Sequence, residues 1–246
     1  MNILIVSAHP DDETIGMAGT LKQISKHHNV KVLFLSEGIT SRRTSGYVSV
    51  PTYDVTDEEM KKMQKEIQLR KDQAKKALKL LGVSKMRFLD LPNLELDQIP
   101  LLQIIKEIEK DIQEIDCDVI FTHHYNDLNI DHQIAFKASI TAARPVPTSK
   151  ISQIICFEIP ASTDWSRPYK FNPNLYVDIS KELDTKVRAL KAYKYEIRKF
   201  PHPRSKEATI AVAQRWGSLS GCQAAEAFEI IYSKVKKIGK NFSTSF

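Results

Sequence analysis

NILIVSAHPDDETIGMAG, residues 2–19, decides how this chain is read. Its opening, Asn2 to Ser7, is rich in Ile, Leu and Val, the pattern of a parallel strand buried on both faces. The strand runs directly into His9, Pro10, Asp11, Asp12 and Glu13. One imidazole and three carboxylates at the C-terminal end of a buried strand stand where open α/β sheets place their ligands. Gly16 and Gly19 follow, small enough to let a helix over residues 14–27 lie close to the sheet. A helix N-cap favoured by the dipole accounts for one carboxylate, not for a His and three acids. The stretch therefore predicts a metal site and an acid–base site within a few residues of each other.

Outward from this segment the order reads β-α-β-α-β-α-β, which predicts a parallel sheet with helices on both faces. Residues 30–36 form the second strand. Residues 39–57 are polar, a loop long enough to imply function or disorder. Thr56 or Asp57 caps a long helix to residue 81, closed by Gly82. A short strand over 86–89, a loop over 92–97 and an amphipathic helix over 99–114 come next. CDVIFT, residues 117–122, is another buried strand, and it leads into HHYNDLNIDH, residues 123–132. Helix formers at 134–143 stop at Arg144, Pro145 and Pro147. Further strands are expected at 151–158 and 176–179, and a helix at 181–195. FPHPRS, residues 200–205, is an irregular loop. Residues 207–216 and 224–228 read as helical, and the tail KNFSTSF as frayed. The expected fold class is α/β: a Rossmann-like, mostly parallel sheet in a three-layer α/β/α arrangement, one domain over 1–246.

Composition excludes several functions. The 246 residues carry 36 Lys and Arg against 30 Asp and Glu, a net charge of +6. The basic residues are dispersed, without an aromatic-interleaved stripe or a zinc-finger pattern, so no nucleic-acid partner is expected. No apolar run reaches membrane-span length, so no membrane insertion is expected. The N-terminal run lacks a basic leader region and a cleavage site, and three isolated Cys argue for a reducing cytoplasm. The G-x-G-x-x-G pattern is absent and carboxylates stand where a pyrophosphate would go, which excludes an NAD enzyme. The three Cys read as small buried apolar residues.

In a doubly wound sheet the parallel strands end on one side. If strand one and the CDVIFT strand are neighbours, their loops meet. Two His and one carboxylate form the ligand set of a catalytic zinc with its fourth position open, and His9, Asp12 and His132 supply it. Asp11 is left over as the general base. Fe²⁺ suits the same ligands. His123 and His124 read as structural or supporting residues.

AHPDDE after a first strand, with a later DH opening a helix, resembles the LmbE-like or PIG-L family of zinc-dependent N-deacetylases. SEGITSR, Arg70 ahead of a helix ending in LG, RFLDLPN and DLNIDH fall where that family has similar segments. ARP at residues 143–145, FEIPASTDW and FPHPRS resemble a bacterial branch tied to surface-polysaccharide and amino-sugar metabolism. The resemblance implies zinc on His9, Asp12 and His132, with Asp11 as base. Many members have a His three residues before the second zinc His; here Asn129 stands there. An amide donates a hydrogen bond to an oxyanion but carries no proton near neutral pH. The amine is then protonated by Asp11 or by a second group, for which His202 is the candidate. Asp131 is expected to orient a ligating His. Arg43, Arg144 and Arg204 are candidates for substrate hydroxyls or phosphate, and Trp165 for a sugar face. The implied reaction removes an N-acetyl group from a small amino sugar or sugar conjugate. Deacetylation of a glucosaminyl thiol precursor and non-catalytic sugar or nucleotide binding are the alternatives. Exposed apolar residues in the C-terminal third allow a homo-oligomer.

Overall fold

The computed structural model describes residues 1–42, 57–168 and 170–235. Seven strands form one sheet in the order β3-β2-β1-β4-β5-β7-β6. They are β1 Asn2–Ser7, β2 Asn29–Ser36, β3 Lys85–Leu91, β4 Val119–His123, β5 Gln153–Phe157, β6 Leu175–Asp178 and β7 Ala225–Ser233. The first five pair in parallel. β7 runs antiparallel to both β5 and β6. The helices are α1 Asp12–Ile24, α2 Asp57–Leu81, α3 Leu101–Ile115, α4 Ile130–Ala142, α5 Leu183–Ala192 and α6 Lys206–Ser220.

The side-chain period of two along the strands divides the core. Ile3 and Ile5 of β1 face Met17 and Leu21 of α1, Ala74 and Leu78 of α2, and Ala189 of α5. Leu4 and Val6 face Ile104 and Ile108 of α3 and Ala135 and Ala138 of α4. The result is the expected Rossmann-like α/β/α arrangement, with β1, β2, β4 and β5 buried on both faces and the edge strand β3 only partly covered.

The structure corrects one expectation outright. Residues 224–228 do not form a helix; they enter β7, which is wedged between β5 and β6. Ala225, Glu226, Ala227 and Phe228 are all buried, because an interior strand is covered on both faces and shows no clean alternation. α4 starts at Ile130, ahead of the helix formers at 134–143, and has Asp131 and His132 in its first turn, in keeping with a DH that opens a helix. The tail KNFSTSF lies outside the described residues. Among the described residues no helix is long and apolar enough to cross a membrane.

Two glycines set the approach of α1 to the sheet. A Cβ on Gly16 would sit 2.6 Å from Phe157 Cδ2, and one on Gly19 would sit 2.6 Å from Ile179 Cγ2. α1 breaks between them: Met17 has φ −147° and ψ 25°. The backbone donors freed by the break are satisfied from β7. Glu226 accepts Gly19 N–H at 2.9 Å and Thr20 N–H at 2.7 Å. Lys186 closes the pocket, with Nζ 2.6 Å from Glu226 Oε1 and 2.7 Å from Ile15 O.

Candidate active site

Strand order reverses between β1 and β4, which pair in parallel. This is the switch point of the sheet, where two successive loops part and leave a crevice. The loop after β1 brings His9, Asp11 and Asp12. The loop after β4 brings Asp127, and α4 begins with Asp131 and His132. All six are buried.

Three donor atoms converge. Asp12 Oδ2 lies 3.1 Å from His9 Nδ1 and 3.3 Å from His132 Nε2. The two ring nitrogens are 3.3 Å apart. Ligand atoms about 2.0–2.1 Å from a tetrahedral zinc stand about 3.3 Å from each other, so the triangle fits such an ion. The outer face of each ring meets a carboxylate. His9 Nε2 is 3.0 Å from Asp131 Oδ2, and His132 Nδ1 is 3.1 Å from Asp127 Oδ1. Each imidazole therefore turns one nitrogen inward, with a carboxylate behind it, as the ligating His of metal sites do. Asp12 Oδ1 is buried without a hydrogen-bond partner among the described residues, a further sign that a cation belongs in this pocket.

The two supporting carboxylates are themselves anchored. Asp131 accepts Leu94 N–H at 2.7 Å and Leu96 N–H at 3.1 Å. Asp127 accepts the hydroxyls of Ser162 at 2.9 Å and Thr163 at 2.6 Å. His123 lies under His132, with ring centroids 4.0 Å apart. Its Nε2 accepts Ala8 N–H at 2.9 Å, which fixes the neutral tautomer with hydrogen on Nδ1. Burial, then the positive field of His132, holds its pKa well below the usual range.

Charge in the cluster follows burial and proximity. Burial opposes charging His132, but Asp12 and Asp127 outweigh it and its pKa rises to about 10. Burial likewise favours protonated Asp12, yet His132 and His9 hold its carboxyl well below the carboxylate range. The triangle thus takes up positive charge, a proton or a metal ion.

Asp11 does not join the triangle. Its Oδ2 lies 3.0 Å from Arg70 Nη2 and 3.3 Å from Arg204 Nη1. Both guanidiniums also hold Glu196: Arg204 Nη1 at 2.8 Å from Oε2, and Arg70 through Nη1 to Oε1. Two carboxylates and two guanidiniums make a closed ring of four charges. Burial nevertheless pushes the Asp11 carboxyl up from its ordinary value. Arg70 Nε also donates to Pro10 O at 2.6 Å, so α2 grips the His9 loop by side chain and backbone.

The structure therefore gathers His9, Asp11, Asp12, His132 and Arg204. Asn129 is nearby but caps α4, its Oδ1 accepting Asp131 N–H at 2.9 Å. His202 is an exposed loop residue whose Nδ1 accepts Arg204 N–H at 3.0 Å. Arg144 is not brought to the cluster. It follows the C-terminal end of α4, about 20 Å along the helix from the site, and its guanidinium contacts Glu109 and Thr141 O. Arg43 lies outside the described residues. Trp165 is 65% exposed, with Arg167 over its ring. The sequence assigns no role to Asp127 or Glu196, and places Arg70 only within the family resemblance. Asp127 had a signal, a carboxylate in the loop that supplies His132. Glu196 had none, because Arg204 is eight residues on in an irregular segment and Arg70 is far away in sequence.

A doubly wound sheet with a His–Asp–His cluster that could hold a metal ion at its switch point, and a buried acid outside that cluster, defines the class of α/β protein. The chain belongs to the PIG-L family: the family model described as GlcNAc-PI de-N-acetylase matches residues 4–143. A diacetylchitobiose deacetylase from Thermococcus kodakarensis is 25% identical over 242 residues, covering 93% of this chain and 82% of that protein. Among solved structures, N,N'-diacetylchitobiose deacetylase from Pyrococcus horikoshii superposes with a TM-score of 0.68 at 20% identity, covering 94% of this chain and 84% of that one. The 4-carboxy-2-hydroxymuconate hydratase GalB from Pseudomonas putida shares the fold as well, with a TM-score of 0.70 at 19% identity over 98% and 99% of the two chains. The family is one of deacetylases; the fold alone also serves another reaction.

Proposed function

We propose that this protein is a zinc-dependent hydrolase that removes an N-acetyl group from an amino sugar or an N-acetylglucosamine-type conjugate. The observation that carries this reading is the donor triangle of His9, Asp12 and His132 beside Asp11, a buried carboxylate not spent as a ligand. The diacetylchitobiose relative supports an N-acetylated sugar as substrate. His9, Asp12 and His132 would hold a zinc ion, which would supply Lewis-acid chemistry at the amide carbonyl and a water that ionises near neutral pH, about 7.

The chain's own residues do the rest. Asp11 accepts a proton from the attacking water and returns it to the departing amine, as a single carboxyl acting first as base and then as acid. Arg70 and Arg204 fix the direction of its carboxylate. Arg204, about one-third exposed, reaches from Asp11 toward solvent and offers N–H donors to the developing oxyanion or to a substrate hydroxyl. Asn129 contributes through its NH₂ only, since its carbonyl oxygen is committed to the helix cap. A cleft of about 390 Å³ lies on the far side of the Arg70–Glu196 pair from Asp11, lined also by Ile39, Leu69, Gln73 and Tyr195, and is our candidate for the sugar body. Its planar donors, carboxylate and aromatic ring suit a polyhydroxylated ligand.

The test is acetate release from a panel of N-acetylglucosamine derivatives by metal-free protein, with and without added Zn²⁺. The panel includes free, glycosidic, nucleotide-linked and thiol-precursor forms. Zinc-dependent acetate release is expected, and Asp11→Asn is expected to keep its zinc and lose about 10²–10⁴ in kcat. Stoichiometric zinc with no acetate from any member overturns the reading in favour of a binding protein or a different reaction.

A further inference from the structure

Asp11 has a backbone that L-residues rarely adopt, with φ 134°. Such a conformation costs about 1–3 kcal/mol and persists where surrounding contacts over-determine it. Here the contact is Glu13, whose Oε2 accepts Asp11 N–H at 3.1 Å. The other oxygen of Glu13 accepts the Thr14 hydroxyl at 2.6 Å and the Tyr193 phenol at 2.7 Å. Glu13 and Tyr193 are both fully buried. The ring of Tyr193 also lies under Arg70, whose Cζ is 5.6 Å from its centroid. Arg70 in turn holds the Asp11 carboxylate. Two paths thus run from Tyr193 to residue 11, one to its backbone through Glu13 and one to its side chain through Arg70.

A helix-capping role accounts for only part of this. An acid in the first turn interacts with the dipole, and a side chain reaching back to the cap residue satisfies its N–H. Neither requires a fully buried carboxyl, which costs several kcal/mol unless hydrogen-bonded, nor a buried phenol aimed at it. We propose that Glu13 and Tyr193 are positioning residues: they hold the strained backbone of Asp11 and thereby aim its carboxylate for proton transfer. This rests on Asp11 being the base.

The test uses Glu13→Gln and Tyr193→Phe in the zinc-loaded protein. Glu13→Gln keeps the shape but sets an NH₂ against one of the present donors. Tyr193→Phe removes one donor and keeps the ring beneath Arg70. Both are expected to retain one zinc per chain. Glu13→Gln is expected to lower kcat about tenfold or more, and Tyr193→Phe less, with KM within about twofold, since misplacement of a reacting group falls on turnover. In an Asp11→Asn background Glu13→Gln is expected to cost nothing further, because there is no base left to position. A merely structural role would lower the residual rate there too, and that result overturns the proposal, as does unchanged kcat in both variants. Crystal structures provide a readout independent of turnover: Glu13→Gln is expected to shift Asp11 away from Arg70 and Arg204 while His9, Asp12 and His132 stay in place. An unmoved Asp11 refutes the positioning role. If the wild type releases no acetate from any amide, the deacetylase reading fails, and the crystallographic comparison alone decides whether Glu13 holds Asp11. Should Glu13→Gln fail to fold, Tyr193→Phe carries the same measurements.

Discussion

At the scale of single residues, two adjacent aspartates take different roles because their neighbours differ. Asp12 points at two imidazoles and keeps its charge; Asp11 points at two guanidiniums and stands outside the triangle. Removing one imidazole tests the division. His132→Ala deletes one of three donors and leaves Asp12 and Asp127 buried without their common partner. We expect it to lose bound zinc, and elemental analysis after dialysis against trace metal decides; metal content equal to wild type refutes the ligand assignment. Asp127→Asn is a milder case. It leaves the three donors in place and weakens the carboxylate behind His132, so zinc affinity should fall about 10–100-fold in a competition titration. His9, Asp11, Asp12 and His132 were legible in the chain because both motifs follow apolar strands. Asp127 was visible only as one more polar loop residue, and the Glu196–Arg70–Arg204 ring not at all. Ion pairs across α2, the loop after β1 and the loop before α6 leave no mark in local spacing.

At the scale of elements, the site depends on how closely α1 lies on the sheet. Gly16 leaves no space for a methyl group: its Cβ would also meet Glu158 O at 3.0 Å, a backbone atom that cannot turn aside. Gly16→Ala should therefore cost about 1–3 kcal/mol, read as a lower urea midpoint with unchanged m-value. Because α1 starts at Asp12, the same substitution should also weaken zinc binding. An alanine variant as stable as wild type would show that α1 shifts freely. The elements themselves were mostly readable. β1, β2 and β4 were clear as apolar runs, α2 from its capping residues and closing Gly82, and α3 as an amphipathic stretch. Residues 225–233 were the exception. AEAFEIIYS, with Ala and Glu leading, scores as a helix start by propensity, and burial in the sheet interior overrode that preference. The N-terminal boundary of α4 was legible through the DH motif but not through composition, because Asn129, a good N-cap, lies in a polar run.

At the scale of the whole molecule, buried carboxyls make stability depend on pH. Glu158 follows β5 and gives Oε1 to Trp216 Nε1–H at 2.5 Å. Burial pushes its pKa up from 4.5 to about 7. The folded state then holds a proton that the unfolded chain releases. The stabilisation this brings is fully present below pH 4.5 and is lost as pH rises to about 7. Between pH 5 and pH 8 the wild type should lose about 2 kcal/mol more unfolding free energy than Glu158→Gln, given 1.36 kcal/mol per pKa unit. Chemical denaturation of both proteins at the two pH values measures it. Parallel pH dependence would show that Glu158 is ionised in the folded protein throughout.

The place of β7 has a consequence for how the chain is made. β5 and β6 do not touch; each pairs with β7, which comes last among the described strands. On the ribosome, β5 emerges with a bare edge and β6 emerges with nothing to join. Both stay open until synthesis reaches Ala225–Ser233, and an exposed edge is a template for the wrong chain. Glu226, which fills the break in α1, arrives in the same last segment. The motif that carries His9, Asp11 and Asp12 is thus fastened by the last of the described strands, and a polypeptide released early would hold these residues at the start of a helix not yet secured.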